Sequence, residues 1–135
     1  MKGSSRTIIN VSSTGGCLTG HAQTASPAGP AGKNMVLVNS AGLGYCVTKA
    51  GLNMETLVLA NQLKPEGFTV VSLTPGFVNT EMGKESERLL RLSAVMKKGP
   101  ITPAESVTKQ LQIIKGLTPA DNGKYISVDG NQLPY

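Results

Sequence analysis

Tryptophan is absent from this chain, and aromatic residues make up only 4% of its 135 positions. Any core must therefore be aliphatic. Cysteine occurs twice, at Cys17 and Cys46, and histidine once, at His21. Those three residues lack metal-ligand spacing and are too few for an ordinary zinc site, so two free thiols in a reducing compartment are expected. No run of about 18 apolar residues is present, so no membrane-spanning helix is expected. The opening Met1-Lys2-Gly3-Ser4-Ser5-Arg6 has no apolar stretch of the signal-peptide kind, and a soluble cytoplasmic protein is expected. Acidic residues are in the minority, which leaves a net charge of +5. The basic residues are scattered, only Lys97 and Lys98 being adjacent, and few aromatics accompany them. That pattern reads as a solvated surface rather than a nucleic-acid interface. Neither G-x-G-x-x-G nor T-G-x-x-x-G-x-G occurs. Gly15-Gly16-Cys17-Leu18-Thr19-Gly20 has the glycine spacing of a phosphate loop, but His21 and Ala22 stand where lysine and a hydroxyl are needed, and no helix is evident after it.

What is present is one domain's worth of alternating elements. The apolar fraction, 39%, allows a modest core. Thr7-Ile8-Ile9-Asn10-Val11 reads as a buried parallel strand, and Phe68-Thr69-Val70-Val71-Ser72-Leu73 as a second. Residues 14–44 are rich in Gly, Ser, Pro and Ala and read as a long loop, in which Met35-Val36-Leu37-Val38 could form a short strand or pack the loop down. Gly44 to Leu63 has helical periodicity. Val47, Ala50, Met54, Leu57 and Val58 fall on one side, expected to be buried in a core or an interface, with Tyr45 and Lys49 roughly opposite. Pro65-Glu66-Gly67 ends that helix. Thr74 to Met82 reads as loop and Lys84 to Lys98 as a charged amphipathic helix. Thr102, Pro103 and Glu105 form the start of a further helix running to about Lys115. Asp121-Asn122-Gly123 is a turn and Tyr125-Ile126-Ser127-Val128 a last strand. This order predicts an α/β fold with parallel βαβ units.

Three segments carry chemistry. The first strand runs into Ser12-Ser13. The long helix carries Tyr45-Cys46-Val47-Thr48-Lys49-Ala50-Gly51. The second strand runs into Thr74-Pro75-Gly76-Phe77-Val78-Asn79-Thr80. A tyrosine and a lysine four apart share a helix face, and a lysine's positive charge favours phenolate over phenol. Cys46, the next residue after Tyr45, is expected to point elsewhere. In this order the three segments resemble the second half of a short-chain dehydrogenase/reductase, and the stretch Leu117 to Tyr125 with Asp129-Gly130 is similar to its C-factor-like, carbonyl-reductase-like branch.

The resemblance implies the C-terminal half of a Rossmann-type doubly wound parallel sheet, strands five to seven, as a single partial domain over 1–135. It implies an NAD(P)-dependent oxidoreductase that reduces a carbonyl or oxidises an alcohol. Ser13 would hydrogen-bond the substrate oxygen, Tyr45 would protonate it, and Lys49 would hold the nicotinamide ribose and support the tyrosine. Pro75, Gly76, Val78 and Thr80 would pass the nicotinamide, with the Thr80 hydroxyl and backbone near Val78 fixing its carboxamide. The stretch between Ser13 and Tyr45 is longer than most members have and is expected to shape the substrate pocket or cover it. The family's pyrophosphate turn and ribose-edge residue have no counterpart in the sequence, where Asn39-Ser40-Ala41-Gly42 reads as loop. A truncated form of a full enzyme, binding NADP or NAD poorly or not at all on its own, is therefore the expectation. The net charge leans toward NADP. The implied partners are a small-molecule carbonyl or alcohol and a second chain on the open edge of the first strand, as a homo-oligomer or a complementing N-terminal fragment. The alternative reading is a catalytically inactive fragment acting as an interaction or oligomerisation module.

Overall fold

The computed structural model describes residues 6–25, 40–84 and 99–135. Four strands form one sheet in the order β1 (Arg6–Val11), β2 (Phe68–Thr74), β3 (Tyr125–Ser127) and β4 (Gln132–Leu133). The first three are parallel. Arg6 pairs with Phe68 and Val11 with Leu73; Ser72 pairs with Tyr125. β4 turns back antiparallel on β3, opposing Tyr125 with Leu133, through a turn in which Gly130 takes a positive φ. The sequence pattern had no place for this strand, because two residues after a turn carry no periodicity.

Among the described residues the α-helices are α1 (Leu18–Ala25), α2 (Ser40–Gln62) and α3 (Pro103–Gly116). The expected loop 14–44 is therefore structured at both ends. A 3-10 turn, Thr14–Gly16, leads into α1, and α2 begins at Ser40 rather than Gly44, which draws Ser40, Ala41 and Gly42 into its first turn. Met35 to Val38 and residues 85–98 of the charged helix lie outside the described residues. The other boundaries fall where the capping residues put them. The Thr102 hydroxyl accepts from the Glu105 amide at the start of α3, and Gly67 takes the left-handed conformation, φ 78°, after α2 and its short 3-10 extension.

Alternation along β1 and β2 separates two faces. Ile9, Val71, Leu73 and Ile126 pack with Ile113, Ile114 and Leu117 of α3, and this is the aliphatic core. The other face, under α2, is the more polar one, although Val70 is fully buried on it. The Thr56 hydroxyl accepts from Asn10 Nδ2 at 2.9 Å, bonds Ser72 Oγ at 2.8 Å, and donates to Leu52 O at 2.9 Å. Thr56 and Ser72 are fully buried, so these bonds replace those that water would have supplied.

The α2 faces thus differ from the sequence expectation. Asn53, Thr56 and Ala60 are the buried residues, while Val47, Met54 and Val58 are exposed. Asn53 and Thr56 can turn inward because Gly16 O and Ser72 Oγ await them. β1 is less buried than its sequence suggested: its ends are exposed, and among the described residues it pairs with β2 alone. No described helix is long and apolar enough to cross a membrane.

Candidate active site

β1 and β2 run side by side, so the segments that follow them leave the sheet together at its carboxyl edge. The Ser12 amide still donates to Leu73 O at 2.8 Å, one step beyond the ladder. Ser12 is buried, and its hydroxyl lies 3.5 Å from the Lys49 carbonyl. Ser13 follows in extended conformation and caps the 3-10 turn, its Oγ accepting from the Gly15 amide at 3.2 Å.

That turn presses against α2. A Cβ on Gly16 would lie 2.5 Å from the Lys49 carbonyl carbon, so only glycine permits the approach. Asn53 Nδ2 closes the contact, donating to Gly16 O at 3.1 Å. A Cβ placed on Gly15 would lie 3.3 Å from Tyr45 Cε1, 3.4 Å from Cys46 Sγ and 3.5 Å from Ser13 Oγ. Ser13 Oγ and the Tyr45 ring therefore both border Gly15, despite the 31 residues between them in sequence. Lys49 lies one helical turn on. Its Nζ donates to Val11 O at 2.7 Å and stands 5.8 Å from the centre of the Tyr45 ring.

Cys46 was expected to point elsewhere, yet its sulfur shares the Gly15 surface with Tyr45. Burial raises the pKa of this thiol above the ordinary value, which keeps it protonated and weakly nucleophilic. Cys46 and Cys17 are both free. The phosphate-loop spacing at Gly15 is followed by a helix after all, α1, but the amides there are engaged. Gly16 N binds Ser13 O, Cys17 N binds Thr14 O, Thr19 N binds Tyr135 O and Gly20 N binds Cys17 Sγ.

The loop after β2 is braced from α3. Ser106 Oγ donates to Pro75 O at 2.7 Å and receives a bond from Gln110 Nε2 at 2.9 Å. Gly76 has φ 80°, and a Cβ there would lie 2.8 Å from Val128 Cγ1. Val78 bridges Ile101 in parallel: Ile101 N donates to Phe77 O and Asn79 N donates to Ile101 O, each at 2.9 Å. The Thr80 hydroxyl accepts from the Gly83 amide at 3.1 Å and so caps the helical turn that starts at Glu81. Pro75, Gly76, Val78 and Thr80 are thus held at the carboxyl end of β2, next to the Ser13 turn at the carboxyl end of β1. In open α/β sheets that edge is where ligands bind.

Sequence reasoning did not find Asn53, Ser106 or His21 as parts of this arrangement. Asn53 could have been found, since it stands four residues after Lys49 on the same face. Ser106 acts through the carbonyl of Pro75, 31 residues away, and His21 through that of Gly15, six residues away, and no motif marks either.

The model for the short chain dehydrogenase family matches residues 30–90. An uncharacterised oxidoreductase of Saccharomyces cerevisiae is 39% identical over 93 residues, which is 65% of this chain and 35% of that protein. The C-signal protein of Myxococcus xanthus is 35% identical over 92 residues, 67% of this chain and 48% of that protein. Among solved structures, the NADPH-bound carbonyl reductase from chicken fatty liver superposes with a TM-score of 0.67 at 27% identity, over 96% of this chain and 42% of that one. The carbonyl reductase Sniffer of D. melanogaster gives the same TM-score and identity. The chain spans about a third to a half of the length of the curated relatives it matches.

Proposed function

Because the chain belongs to the short-chain dehydrogenase/reductase family, we propose that it carries the catalytic groups of an NAD(P)-dependent oxidoreductase that reduces a small carbonyl compound or oxidises the matching alcohol. The observation that carries this reading is that Ser13 Oγ and the Tyr45 ring both border Gly15, with Lys49 one helical turn from Tyr45. A tyrosine–lysine pair by itself would be an ordinary surface pair. A hydroxyl donor brought to it from another strand end is not.

The residues present fit the nicotinamide side of a dinucleotide. Lys49 Nζ and the braced Pro75–Thr80 loop border the same sheet edge, and Gly76 keeps the loop close to the sheet. Lys49 would hold the ribose, and the backbone near Val78 with the Thr80 hydroxyl would hold the carboxamide. When bound, the cofactor supplies or accepts the hydride. NADP is favoured over NAD, supported by the net charge of +5 and by the NADPH bound to the similar chicken carbonyl reductase.

The side chains divide the remaining work. The Gly15 amide occupies a lone pair of Ser13 Oγ, which leaves that hydroxyl's proton for the substrate oxygen. Tyr45 gives its phenolic proton to the same oxygen as negative charge builds there. The Lys49 ammonium, held in place by Val11 O, stabilises the phenolate that results. Tyr45→Phe removes one oxygen and leaves the shape. In a protein that joins this chain to a dinucleotide-binding half, it should lower kcat by about 10²–10⁴-fold and leave the dissociation constant for NADP unchanged. Steady-state kinetics with calorimetric titration of NADP checks both halves, and near-wild-type turnover would overturn the assignment.

A further inference from the structure

We propose that His21 is a positioning residue for the Ser13–Tyr45 pair, acting through the carbonyl of Gly15. The chemistry it serves rests on the reductase reading above, but the placement stands on geometry. Gly15 is where the site's parts touch. Its amide holds Ser13 Oγ, and its α-carbon faces the Tyr45 ring and Cys46 Sγ. Its carbonyl lies 2.9 Å from His21 Nε2. A carbonyl oxygen only accepts, so Nε2 must carry the hydrogen, which fixes the ring's tautomer when it is neutral. That bond holds the Gly15–Gly16 peptide from its carbonyl side, while Ser13 O accepts from the same peptide's N–H at 2.8 Å. Together with Asn53 on Gly16 O, it holds the Ser13 turn against α2.

His21 is itself mounted on a braced element. Its amide donates to Cys17 O at 3.1 Å. Cys17 Sγ donates to Pro134 O at 3.1 Å and accepts from the Gly20 amide at 3.2 Å. Thr19 gives both its amide, at 3.0 Å, and its hydroxyl, at 2.6 Å, to Tyr135 O. Tyr135 is fixed in turn, stacked on Tyr125 with ring centres 5.6 Å apart and with its hydroxyl donated to Gly123 O at 2.8 Å. A line of contacts therefore runs from the last strand pair through α1 to the turn that holds Ser13. The family's three motif segments include none of these residues.

The test compares His21→Leu, which removes the donor at similar bulk, with His21→Gln, which keeps one, both in the full chain. Alkylation by iodoacetamide is followed separately at Cys46 and Cys17 by mass spectrometry. Loss of the bond should expose Cys46 about fivefold more often, the shift expected for one neutral hydrogen bond, with Cys17 unchanged and His21→Gln close to wild type. An unchanged Cys46 rate in His21→Leu, or equal acceleration at both cysteines, would overturn the proposal. Should His21→Leu fail to fold, long-range ¹⁵N spectra of the wild-type ring decide instead: hydrogen on Nε2 supports the bond, and hydrogen on Nδ1 alone refutes it. In turnover assays His21→Leu should lower kcat with the KM for cofactor unchanged, and His21→Gln should restore it. The thiol and NMR readouts need no turnover, so they can succeed where the Tyr45→Phe experiment removes the reductase reading, and fail where it upholds it.

Discussion

Two single residues give sharp expectations, one in the site and one in the turn before β3. Gly76 combines a positive φ with a neighbour that a methyl group would strike, Val128 Cγ1 at 2.8 Å. Gly76→Ala should cost about 2 kcal/mol or more, from backbone strain together with overpacking. Urea unfolding midpoints check it. Asp121 is held by Lys124 Nζ at 2.7 Å and by the Thr118 amide and hydroxyl, each at 2.9 Å, and these partners lower its carboxyl from 3.8 to about 2. Since the folded value lies below the ordinary one, the pairing stabilises the fold at higher pH. That contribution is lost as pH falls from about 4 through about 2. Asp121→Asn should therefore be less stable than wild type at neutral pH, with the gap closing across that window in acid unfolding. At this scale the sequence was most legible where a residue acts through its own identity. Ser13, Tyr45 and Lys49 could be named from it as candidates, and Ser13 Oγ and Tyr45 Cε1 both border Gly15 in the structure. Gly15 and His21 could not, because what matters there is a backbone carbonyl and the gap beside it.

At the scale of the element, α2 was legible in its existence but not in its orientation. Its apolar residues suggested the buried face, yet hydrogen bonding turned the helix the other way. The polar run Lys49, Asn53, Thr56 repeats with helical spacing, and each member finds a partner across the packing interface. An apolar stripe is indifferent to which apolar surface it meets, whereas a buried Thr56 requires Asn10 and Ser72. Thr56→Val keeps the shape and removes the hydroxyl, leaving Asn10 Nδ2, Ser72 Oγ and Leu52 O without it. The expected cost is about 1–3 kcal/mol in urea unfolding, more than deletion of an exposed hydroxyl such as that of Thr108. α3 was read nearly in full, because Thr102, Pro103 and Glu105 mark its start chemically. β4 was missed because its two residues are a strand only by virtue of lying against β3.

Over the whole molecule, two surfaces bear on the alternative reading as an interaction module. The α2 stripe exposes Leu43, Val47, Met54 and Val58. Val11, on the edge strand, is 49% exposed. If either surface joins two copies, light scattering across a dilution series will show a dimer, and Val47→Glu or Val11→Lys, whichever surface is used, should dissolve it. A monomer at all concentrations would remove the self-association version of that reading. Ile9→Lys is the wrong probe despite lying on the same strand, since Ile9 packs on the core formed by Val71, Leu73 and Ile126. The parallel sheet and the two-faced packing followed from the alternation of strands and helices. Which face would be polar did not, because the faces are settled by pairs such as Asn10 and Thr56 that lie far apart along the chain.

The pairing of β1 with β2 also has a consequence during synthesis. Arg6 leaves the ribosome well before its partner Phe68, and the residues between them take several seconds to translate at about 5–20 residues per second. Through that interval Thr7-Ile8-Ile9 has no β2 to pair with, and a parallel partner cannot be replaced by a quick hairpin. The nascent chain therefore passes through a window in which the β2-facing edge of Thr7-Ile8-Ile9 is open to chaperones and to other nascent chains. Slower translation between Val11 and Phe68 should lower the soluble yield of a protein whose finished fold is unchanged.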